Sequence, residues 1–509
     1  MTSPSSTSVP ARERLLRLLC LAVIVAGALQ IALYRHGRDQ GIYALVARTV
    51  LEGGMPYRDA FDFKPPGIFV VYAVARLLSG SAQWGIRAVE VLGLAGMVAA
   101  MVSLADRLWG ERTAGWLAAA LAVLVHAQLE FWHTAQPESF GGMLSMLGVW
   151  LVCPPAAEPT KTRRLTAARL VAAGAAFGAT GLLKPPLAGG GAVLGLWVAA
   201  RTYRETRRTR DLARDLALVF VGGVAPIALC LGWFAARGAL ADLHETLFVF
   251  TPHYTELSWR GHTLGGMLYL AVTDWLVNYA SLLTLGLMLG LATWRQSWAR
   301  EGVPMLVGII AIQLVGVALQ AKFFPYHYGA VWPFTALLAG LGWNRLWQAT
   351  ATRGALGTAA FVGVLGTVAT LRTATKDLPQ TCWARASRRL ELIADGWNDE
   401  QAIDRLATVA DVNAHGNRQV AAFLREHVPA GGSAFVWGFE PVMYDLAGVR
   451  SASRFIYNVP QRVAWASSAA RRELMCELAA NRPEVVVVES GDVFPAVTDN
   501  FLSSAQVLD

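Results

Sequence analysis

Residues 35–67 read RHGRDQGIYALVARTVLEGGMPYRDAFDFKPPG and follow directly on an apolar segment at residues 15–34. In a chain built mainly of apolar segments, this stretch concentrates charged side chains, among them Asp39, Glu52, Asp59, Asp62 and Lys64. A carboxylate close to a membrane face costs solvation free energy, so it commonly marks a functional site. The stretch ends in Lys-Pro-Pro, a cation followed by two residues that restrict the backbone. It therefore predicts a catalytic loop that begins where a first membrane helix ends.

The composition is that of a membrane protein. Hydrophobic residues make up 54% of the 509 residues and charged residues only 16%, whereas soluble domains carry about 25% charged residues. The apolar residues form blocks of roughly membrane-spanning length. These blocks are 15–34, 66–80, 85–106, 113–131, 139–153, 167–183, 185–200, 216–236, 264–292, 303–320, 329–345 and 354–372. We expect the first block to be an uncleaved helix, because its apolar run continues through Leu33.

Basic residues lie in short loops between these blocks, for example RTYRETRRTR at 201–210. This is the positive-inside pattern, so the net charge of +8 indicates membrane topology and contact with membrane lipids, and no nucleic-acid partner. The block 66–80 is short for a span. If it lies in the interface, the basic loops all fall on one side of the membrane. We therefore predict about eleven spans, with 40–53 and 66–80 as juxtamembrane helices.

Residues 373–509 differ from the membrane part, residues 1–372. Helical patterns with solvated charges alternate there with strand-like runs, AFVWG at 434–438 and PEVVVVES at 483–490. This alternation predicts a small α/β domain, which the topology places outside the cytoplasmic (inner) membrane. It contains no GxGxxG or Walker loop, so nucleotide binding is not supported. Cys382 and Cys476 could pair there in an oxidising compartment.

Two carboxylates at predicted outer boundaries are candidate catalytic groups. Asp39 lies four residues before Tyr43 at the start of an amphipathic helix, where a carboxylate serves as a general base or as a helix N-cap. Glu138 follows Gln136-Pro137 and is either a second acid facing the same cavity or a helix-start charge. Two such carboxylates could share a divalent ion with a substrate phosphate, so metal dependence stays open.

Lys64 and Lys184 each precede Pro-Pro at a predicted outer boundary. A lysine in that position binds phosphate as a point charge, or it extends to the lipid headgroups. Two identical tripeptides at matching depth favour a phosphate site. The loop AKFFPYHYGAVWPF, residues 321–334, adds Lys322, His327 and Tyr328 at a third boundary. This concentration of donors predicts a cavity wall rather than only an aromatic belt.

The order of these motifs resembles that of GT-C glycosyltransferases that use lipid-phosphate sugars, specifically the bacterial dolichyl-phosphate-mannose-protein mannosyltransferase-like and aminoarabinose-transferase-like family. The resemblance covers roughly residues 10–372. It rests on Asp39 with Tyr43, GGMPYRDAFDFKPPG at 53–67, Arg87, Glu138, the Lys-Pro-Pro turn at 184–186 and the loop 322–328. Gln40 stands where protein mannosyltransferases show a second acid, which weakens the case for a protein acceptor.

The resemblance implies an all-α polytopic membrane enzyme that moves a sugar from a polyprenyl-phosphate donor to a lipid, glycan or protein acceptor by one inverting displacement. Asp39 would deprotonate the acceptor, with Glu138 as the second catalytic carboxylate. Three lysines would stabilise the developing charge on the leaving phosphate, namely Lys64, Lys184 and Lys322. The other side chains that we assign to the substrate cavity are Tyr43, Tyr57, Asp62, His327 and Tyr328.

Two other classes of protein remain as alternatives. A transporter or flippase of lipid-linked or anionic solutes is typically built from internal repeats and broken helices at the membrane midplane. The sequence shows no such repeat, and its polar residues concentrate in the predicted outer loops, with Asp274 and Asn278 as a partial exception. A receptor with a ligand-binding C-terminal domain would explain that domain but not the loops that combine acids and lysines.

Overall fold

The computed structural model describes residues 10–153, 166–278, 281–297, 299–370, 378–409 and 412–507. Most of them are helical, because in lipid a helix satisfies its backbone hydrogen bonds within one segment. The first helices are α1 (Ala11–Ala32), α2 (Arg38–Leu51), α3 (Gly67–Ser79), α4 (Trp84–Trp109), α5 (Arg112–Gln128), α6 (Glu130–His133), α7 (Pro137–Val152), α8 (Ala167–Leu183), α9 (Gly189–Thr206) and α10 (Thr209–Ala236).

The membrane part continues with short helices and further apolar ones. They are α11 (Leu240–His244), α12 (Thr251–Trp259), α13 (Leu264–Thr273), α14 (Ser281–Ala292), α15 (Trp294–Ser297), α16 (Val303–Gln320), α17 (Trp332–Ala351) and α18 (Gly354–Thr370). Two 3-10 turns follow predicted site lysines. Pro185–Ala188 begins directly after Lys184, and Pro325–Tyr328 begins three residues after Lys322.

Four helices within the described ranges, α1, α4, α10 and α16, have the length and hydropathy of a membrane span. The bent pair Leu264–Val277 and Leu282–Ala292 passes the same test together, and α3, α8 and α18 are shorter apolar helices. The chain is therefore a multi-pass membrane protein. The number of about eleven spans stays a prediction.

Helix α3 has the dimensions and surface of an interfacial helix. Its 13 residues extend about 20 Å, well short of the roughly 30 Å hydrocarbon core. One face is buried through Phe69 and Tyr72, whereas Val70 and Leu77 are exposed on the other. The position of residues 66–80 beside the membrane rather than across it stays a prediction.

Close helix packing fixes the end of α8, which leads into Lys184. A Cβ atom added at Gly174 would come within 2.0 Å of the Val219 carbonyl oxygen, and one added at Gly178 within 2.0 Å of the Gly223 carbonyl oxygen. The absence of side chains at these positions allows the backbones of α8 and α10 to approach closely. The turn after α8 therefore has a defined place beside α7.

The C-terminal part is an α/β unit with a three-stranded parallel sheet in the order β2-β1-β3. The strands are β1 (Ser433–Trp437), β2 (Arg450–Ser451) and β3 (Val485–Val488), and Ala434 pairs in register with Val485. The helices are α19 (Leu378–Ala394), α20 (Glu400–Leu406), α21 (Ala414–His427), α22 (Val442–Ala447), α23 (Val459–Arg462), α24 (Ser467–Asn481) and α25 (Pro495–Thr498). The predicted α/β fold is confirmed, but Cys382 and Cys476 are both free thiols, so the disulfide considered above does not form.

The α/β unit packs directly on the loop that follows α1. Arg38 of α2 forms a buried ion pair with Glu440 at 2.9 Å, and its guanidinium lies over the rings of Phe439 and Phe494 at 4.9 and 4.4 Å from their centroids. Arg76 of α3 adds a second ion pair, with Asp445 at 2.7 Å. The α/β unit therefore lies on the same side of the molecule as the loop 35–67.

The topology can be tested by cysteine labelling. Cysteines placed at Ser81, Glu52 and Arg210, all exposed, would be probed with an impermeant maleimide in a Cys476→Ser background. We expect Ser81→Cys and Glu52→Cys to react from outside intact cells. If residues 66–80 do not cross the membrane, positions 52 and 81 lie on the same outer side. Arg210→Cys should react only after permeabilisation. Labelling of Ser81→Cys together with Arg210→Cys, rather than with Glu52→Cys, would overturn the interfacial assignment.

The ion pair between Arg38 and Glu440 should stabilise the docked α/β unit strongly. Glu440→Ala leaves the Arg38 guanidinium buried without its carboxylate, so we expect a loss of about 3–5 kcal/mol and a clear fall in apparent Tm. Glu391→Ala breaks an exposed pair with Arg388 and is the control, with no expected change in Tm. Burial raises the pKa of Glu440 to about 7, so thermal unfolding in detergent at pH 8, where this carboxylate is mainly ionised, measures both. Equal Tm values for the two variants would contradict the docking role.

Candidate active site

A cavity of about 320 Å³ lies between the loop 35–67 and the α/β unit. Its walls are mainly apolar and aromatic, with a few charged groups among them. From the loop it is lined by Asp39, Tyr43, Asp62, Phe63 and Lys64, from other membrane segments by Trp132, His133, Tyr254 and Tyr326, and from the α/β unit by Phe439, Tyr457 and residues 493–497. Of the predicted site residues, Asp39, Tyr43, Asp62 and Lys64 line this cavity.

Asp39 occupies the first turn of α2, which begins after Gly37. One carboxylate oxygen, Oδ2, accepts a hydrogen bond of 3.1 Å from Nε2 of Gln136. The Oε1 atom of that amide accepts a bond of 3.0 Å from the Tyr43 hydroxyl. Among the described residues the Asp39 side chain has no second hydrogen bond, so Oδ1 is available to a bound molecule. This arrangement suits a general base whose proton acceptor faces a cavity.

Lys64 contributes a charged ammonium to the same cavity. Burial lowers the pKa of Lys64, but the nearby carboxylates of Asp39, Glu138 and Asp62 outweigh that effect and raise it. Its Nζ lies 5.6 Å from the ring centroid of Tyr326, and within the described ranges no carboxylate pairs with it at 4.0 Å or less. A protonated lysine without a contacting counterion is suited to bind an anion.

The backbone at Lys64 is held in place by a buried tyrosine, Tyr57. Tyr57 donates a hydrogen bond of 2.8 Å from its hydroxyl to the Lys64 carbonyl oxygen. Tyr57 itself is left-handed, with φ of +72°, and its carbonyl oxygen accepts a bond of 2.8 Å from Arg454 of the α/β unit. Tyr57 therefore lies behind the cavity and supports it, instead of lining it as we expected.

Asp62 is a second carboxyl group on the cavity wall. Its Oδ1 accepts a hydrogen bond of 2.9 Å from the hydroxyl of Tyr457 in the α/β unit, while Oδ2 is buried without a partner among the described residues. Burial raises the pKa of Asp62 to about 6, although Lys64 lowers it. The group is therefore mainly ionised at neutral pH and adds to the field that keeps Lys64 protonated.

Glu138 and Lys184 form a buried ion pair with each other, at 2.8 Å between Oε1 and Nζ. Neither residue lines the cavity, contrary to the expectation that both face the substrate. The reason is electrostatic, because a buried carboxylate and a buried ammonium each need a partner. His327 Nε2 lies 4.0 Å from the same oxygen, and burial with Lys184 and Lys64 lowers the pKa of His327, so its ring is neutral.

Lys322 lies close to the cavity wall rather than on it. Its Nζ donates a hydrogen bond of 2.7 Å to the Ala496 carbonyl oxygen of the α/β unit and lies 3.6 Å from the ring centroid of Tyr254. Burial, together with the smaller effects of the charges of Lys64 and Lys184, lowers the pKa of Lys322 to about 7. The three predicted lysines are thus electrostatically coupled, although only Lys64 lines the cavity.

Tyr328 is a packing residue and does not line the cavity. Its hydroxyl donates a hydrogen bond of 3.2 Å to the Ala271 carbonyl oxygen, and its ring stacks on Trp332. His327 is likewise buried behind the wall, where its Nδ1 contacts the Lys322 carbonyl oxygen. The loop 321–334 contributes Phe324 and Tyr326 to the cavity instead.

Several residues of the site carry no distinctive sequence signal. Gln136, which contacts Asp39 from behind the cavity wall, is marked in the sequence only as the neighbour of Glu138. Tyr457 and Phe439 belong to an α/β part without a recognisable motif. Tyr254 and Tyr326 lie in aromatic segments at predicted membrane boundaries, where belt residues look the same in sequence. Within the described ranges, no group of three or more His, Cys, Asp and Glu side chains could hold a metal ion, and metal dependence stays open.

Comparison with solved structures shows the fold. ArnT from Cupriavidus metallidurans bound to undecaprenyl phosphate matches with a TM-score of 0.54 and 18% identity, over 92% of this chain and 89% of that chain. The apo state of the same protein matches with a TM-score of 0.55 and 17% identity over the same shares. No family model matches the sequence, and no curated protein matches it either. The chain has the GT-C fold that its motifs resemble.

Proposed function

We propose that this chain is a membrane glycosyltransferase that transfers a sugar from a polyprenyl-phosphate donor to an acceptor outside the cytoplasmic membrane. The observation that carries the proposal is that the Asp39 carboxylate and the Lys64 ammonium line one cavity, in a GT-C fold. The solved ArnT structure with bound undecaprenyl phosphate supports a lipid phosphate as the donor class.

The two charged groups fit the two ends of one displacement. Asp39 Oδ1 takes the proton from the acceptor hydroxyl or amine. At the same time the acceptor oxygen or nitrogen forms a bond to the anomeric carbon of the sugar. The bond from this carbon to the phosphate oxygen breaks, and its electron pair leaves on polyprenyl phosphate. Lys64 stabilises the negative charge that develops there. Because attack and departure occur on opposite faces, the anomeric configuration inverts.

The remaining walls suit a single sugar ring. Aromatic side chains, among them Tyr43, Tyr254, Tyr326 and Tyr457, surround the charged pair and provide apolar surface with hydroxyl groups at its edge. A volume of about 320 Å³ lies near the lower end of the range for ligand cavities. It favours a monosaccharide over an oligosaccharide as the transferred group.

The other predicted site residues act at a distance in this mechanism. Lys184 and Glu138 compensate each other and hold the turn beside the cavity, so we assign them no direct contact with the reacting atoms. Lys322 adds positive potential through its coupling to Lys64. The transporter alternative is not favoured, because the charged cavity residues belong to connecting segments rather than to the midplane positions that transporters use.

The proposed roles make different predictions for two substitutions. Asp39→Asn keeps the shape but removes the base, so turnover should fall by about two to four orders of magnitude while donor affinity survives. Lys64→Ala should weaken donor binding and slow transfer together, and Lys64→Arg should restore part of both. Purified folded variants would be assayed with labelled polyprenyl-phosphate monosaccharides. Glu52→Gln is the control and should keep its turnover, because Glu52 is in the same segment but exposed and paired with Arg48. Near-normal turnover of Asp39→Asn would refute the mechanism.

Donor affinity should also depend on the protonation of Lys322. Because the pKa of Lys322 is about 7, the residue is positive below that pH and neutral above it, whereas a phosphodiester stays negative throughout. We expect the dissociation constant of the donor to rise about threefold to tenfold between pH 6 and pH 8.5. Lys322→Arg keeps its charge and should flatten the profile. Asp62→Asn, which removes a cavity group whose pKa of about 6 lies close to this range, should retain the profile. An unchanged profile in Lys322→Arg would exclude Lys322 as the cause.

A further inference from the structure

Gln136 connects the proposed base to a rigid part of the protein. It is fully buried at the residue before α7, and its side-chain amide lies between Tyr43 and Asp39. The Tyr43 hydroxyl donates to Oε1 of the amide, which leaves the NH₂ end directed at Asp39 Oδ2. Gln136 does not line the cavity, so it contacts the base without being placed to contact a substrate.

The backbone just before Gln136 is held from several sides. Ala135 is left-handed, with φ of +53°, a conformation that is strained for a residue with a side chain. Its N–H donates a hydrogen bond of 2.5 Å to Glu90 Oε1, and its carbonyl oxygen accepts one of 3.0 Å from the Tyr72 hydroxyl. Strained backbone persists where the surroundings over-determine it, and such positions concentrate at functional sites.

Glu90 is itself fixed by two further contacts. Arg87 Nη1 pairs with Glu90 Oε2 at 2.9 Å and also donates to Thr134 Oγ1 at 2.9 Å. His126 Nε2 lies 2.8 Å from Glu90 Oε1. All of these groups are buried. The turn 134–136 is therefore tied to α4 and α5 through side-chain hydrogen bonds. From this turn the Gln136 amide extends to Asp39 in α2.

A second amide ties the same turn to the start of α2. Gln40, the residue after Asp39, donates a hydrogen bond of 2.6 Å from Nε2 to the Thr134 carbonyl oxygen. Its Oε1 accepts a bond of 3.0 Å from the Gly37 backbone N–H. The Gln40 and Gln136 amides thus bridge the same two segments. One fixes the backbone that carries Asp39, and the other fixes the Asp39 side chain.

We infer that Gln136 is a positioning residue for the transfer reaction, which orients the Asp39 carboxylate so that Oδ1 faces the acceptor. The inference rests on the proposed function of Asp39. A carboxylate side chain in the first turn of a helix can rotate about its side-chain bonds. A hydrogen bond donated to one of its oxygens restricts that rotation. Displacement of a reacting group by about 1 Å costs about 100-fold in rate. Loss of the amide should therefore lower turnover without changing donor binding.

The test is whether Gln136 acts through Asp39. Gln136→Met keeps the length of the side chain but donates no hydrogen bond, so we expect turnover to fall about 10- to 100-fold with unchanged donor affinity. In an Asp39→Asn background the same substitution should cause no further loss. Tyr43→Phe, a milder change, should give a smaller loss that is not additive with that of Gln136→Met. Gln461→Met removes a buried amide in the α/β unit and serves as the control, with turnover retained.

The outcomes separate this inference from the proposed function. If wild-type protein transfers no sugar from any polyprenyl-phosphate monosaccharide, or if Asp39→Asn is fully active, the proposed function itself fails. If wild type is active and Gln136→Met costs as much in the Asp39→Asn background as in wild type, Gln136 does not act through Asp39 and the inference is overturned. Additive losses for Tyr43→Phe and Gln136→Met would overturn it as well.

Discussion

Buried charged side chains need partners of opposite charge, and the ion pairs that result determine how the segments around the cavity pack together. Arg38 pairs with Glu440 and thereby docks the α/β unit, Lys184 pairs with Glu138, and Arg87 pairs with Glu90. Each of these pairs avoids the several kcal/mol that an isolated buried charge would cost. Among the predicted site lysines that the structure describes, Lys64 is the one that lines the cavity and has no contacting carboxylate. Its charge is sustained from a distance and remains available to a ligand.

The cavity belongs to both parts of the chain. Tyr457 of the α/β unit holds Asp62, and the Ala496 carbonyl oxygen holds Lys322, while Phe439 and Phe494 cover the Arg38 guanidinium beside Asp39. All catalytic and cavity residues predicted from the sequence lie within residues 1–372, and none lies in 373–509. In the structure the second part closes the cavity and positions charged side chains of the first.

Three residues around this site have a left-handed backbone. Tyr57, Glu130 and Ala135 have positive φ, and each is held by hydrogen bonds or ion pairs to side chains of other segments. The Glu130 carboxylate, for example, is bound by Arg385 at 3.1 Å and by Arg389 at 2.6 Å, both from α19. The C-terminal part thus supports α6 from one side, and the pair of Arg87 and Glu90 supports the following turn 134–136 from the other. A rigid turn of this kind can direct the single amide of Gln136 at the proposed base.

What the sequence determined by itself was local. Hydropathy and segment length depend on neighbouring residues, so the helical membrane part, the short helix α3 and the strands of the α/β unit could be predicted. The acids and lysines of the loop 35–67 could be recognised for the same reason, since charge in an apolar chain stands out without any knowledge of contacts. Asp39, Asp62 and Lys64 came from that signal, and Tyr43 came from its place four residues after Asp39 and from the family resemblance; all four line the cavity.

What only the tertiary structure decided was which charges compensate each other. Lys64 and Lys184 precede the same Pro-Pro dipeptide, yet one faces the cavity and the other is paired with Glu138, because pairing depends on distances between residues far apart in the chain. Gln136 meets Asp39 across 97 positions, and Tyr457 meets Asp62 across 395. Such contacts leave no trace in periodicity or composition. They arise only when helix packing brings separate segments to the same buried place, where each polar group must find a partner.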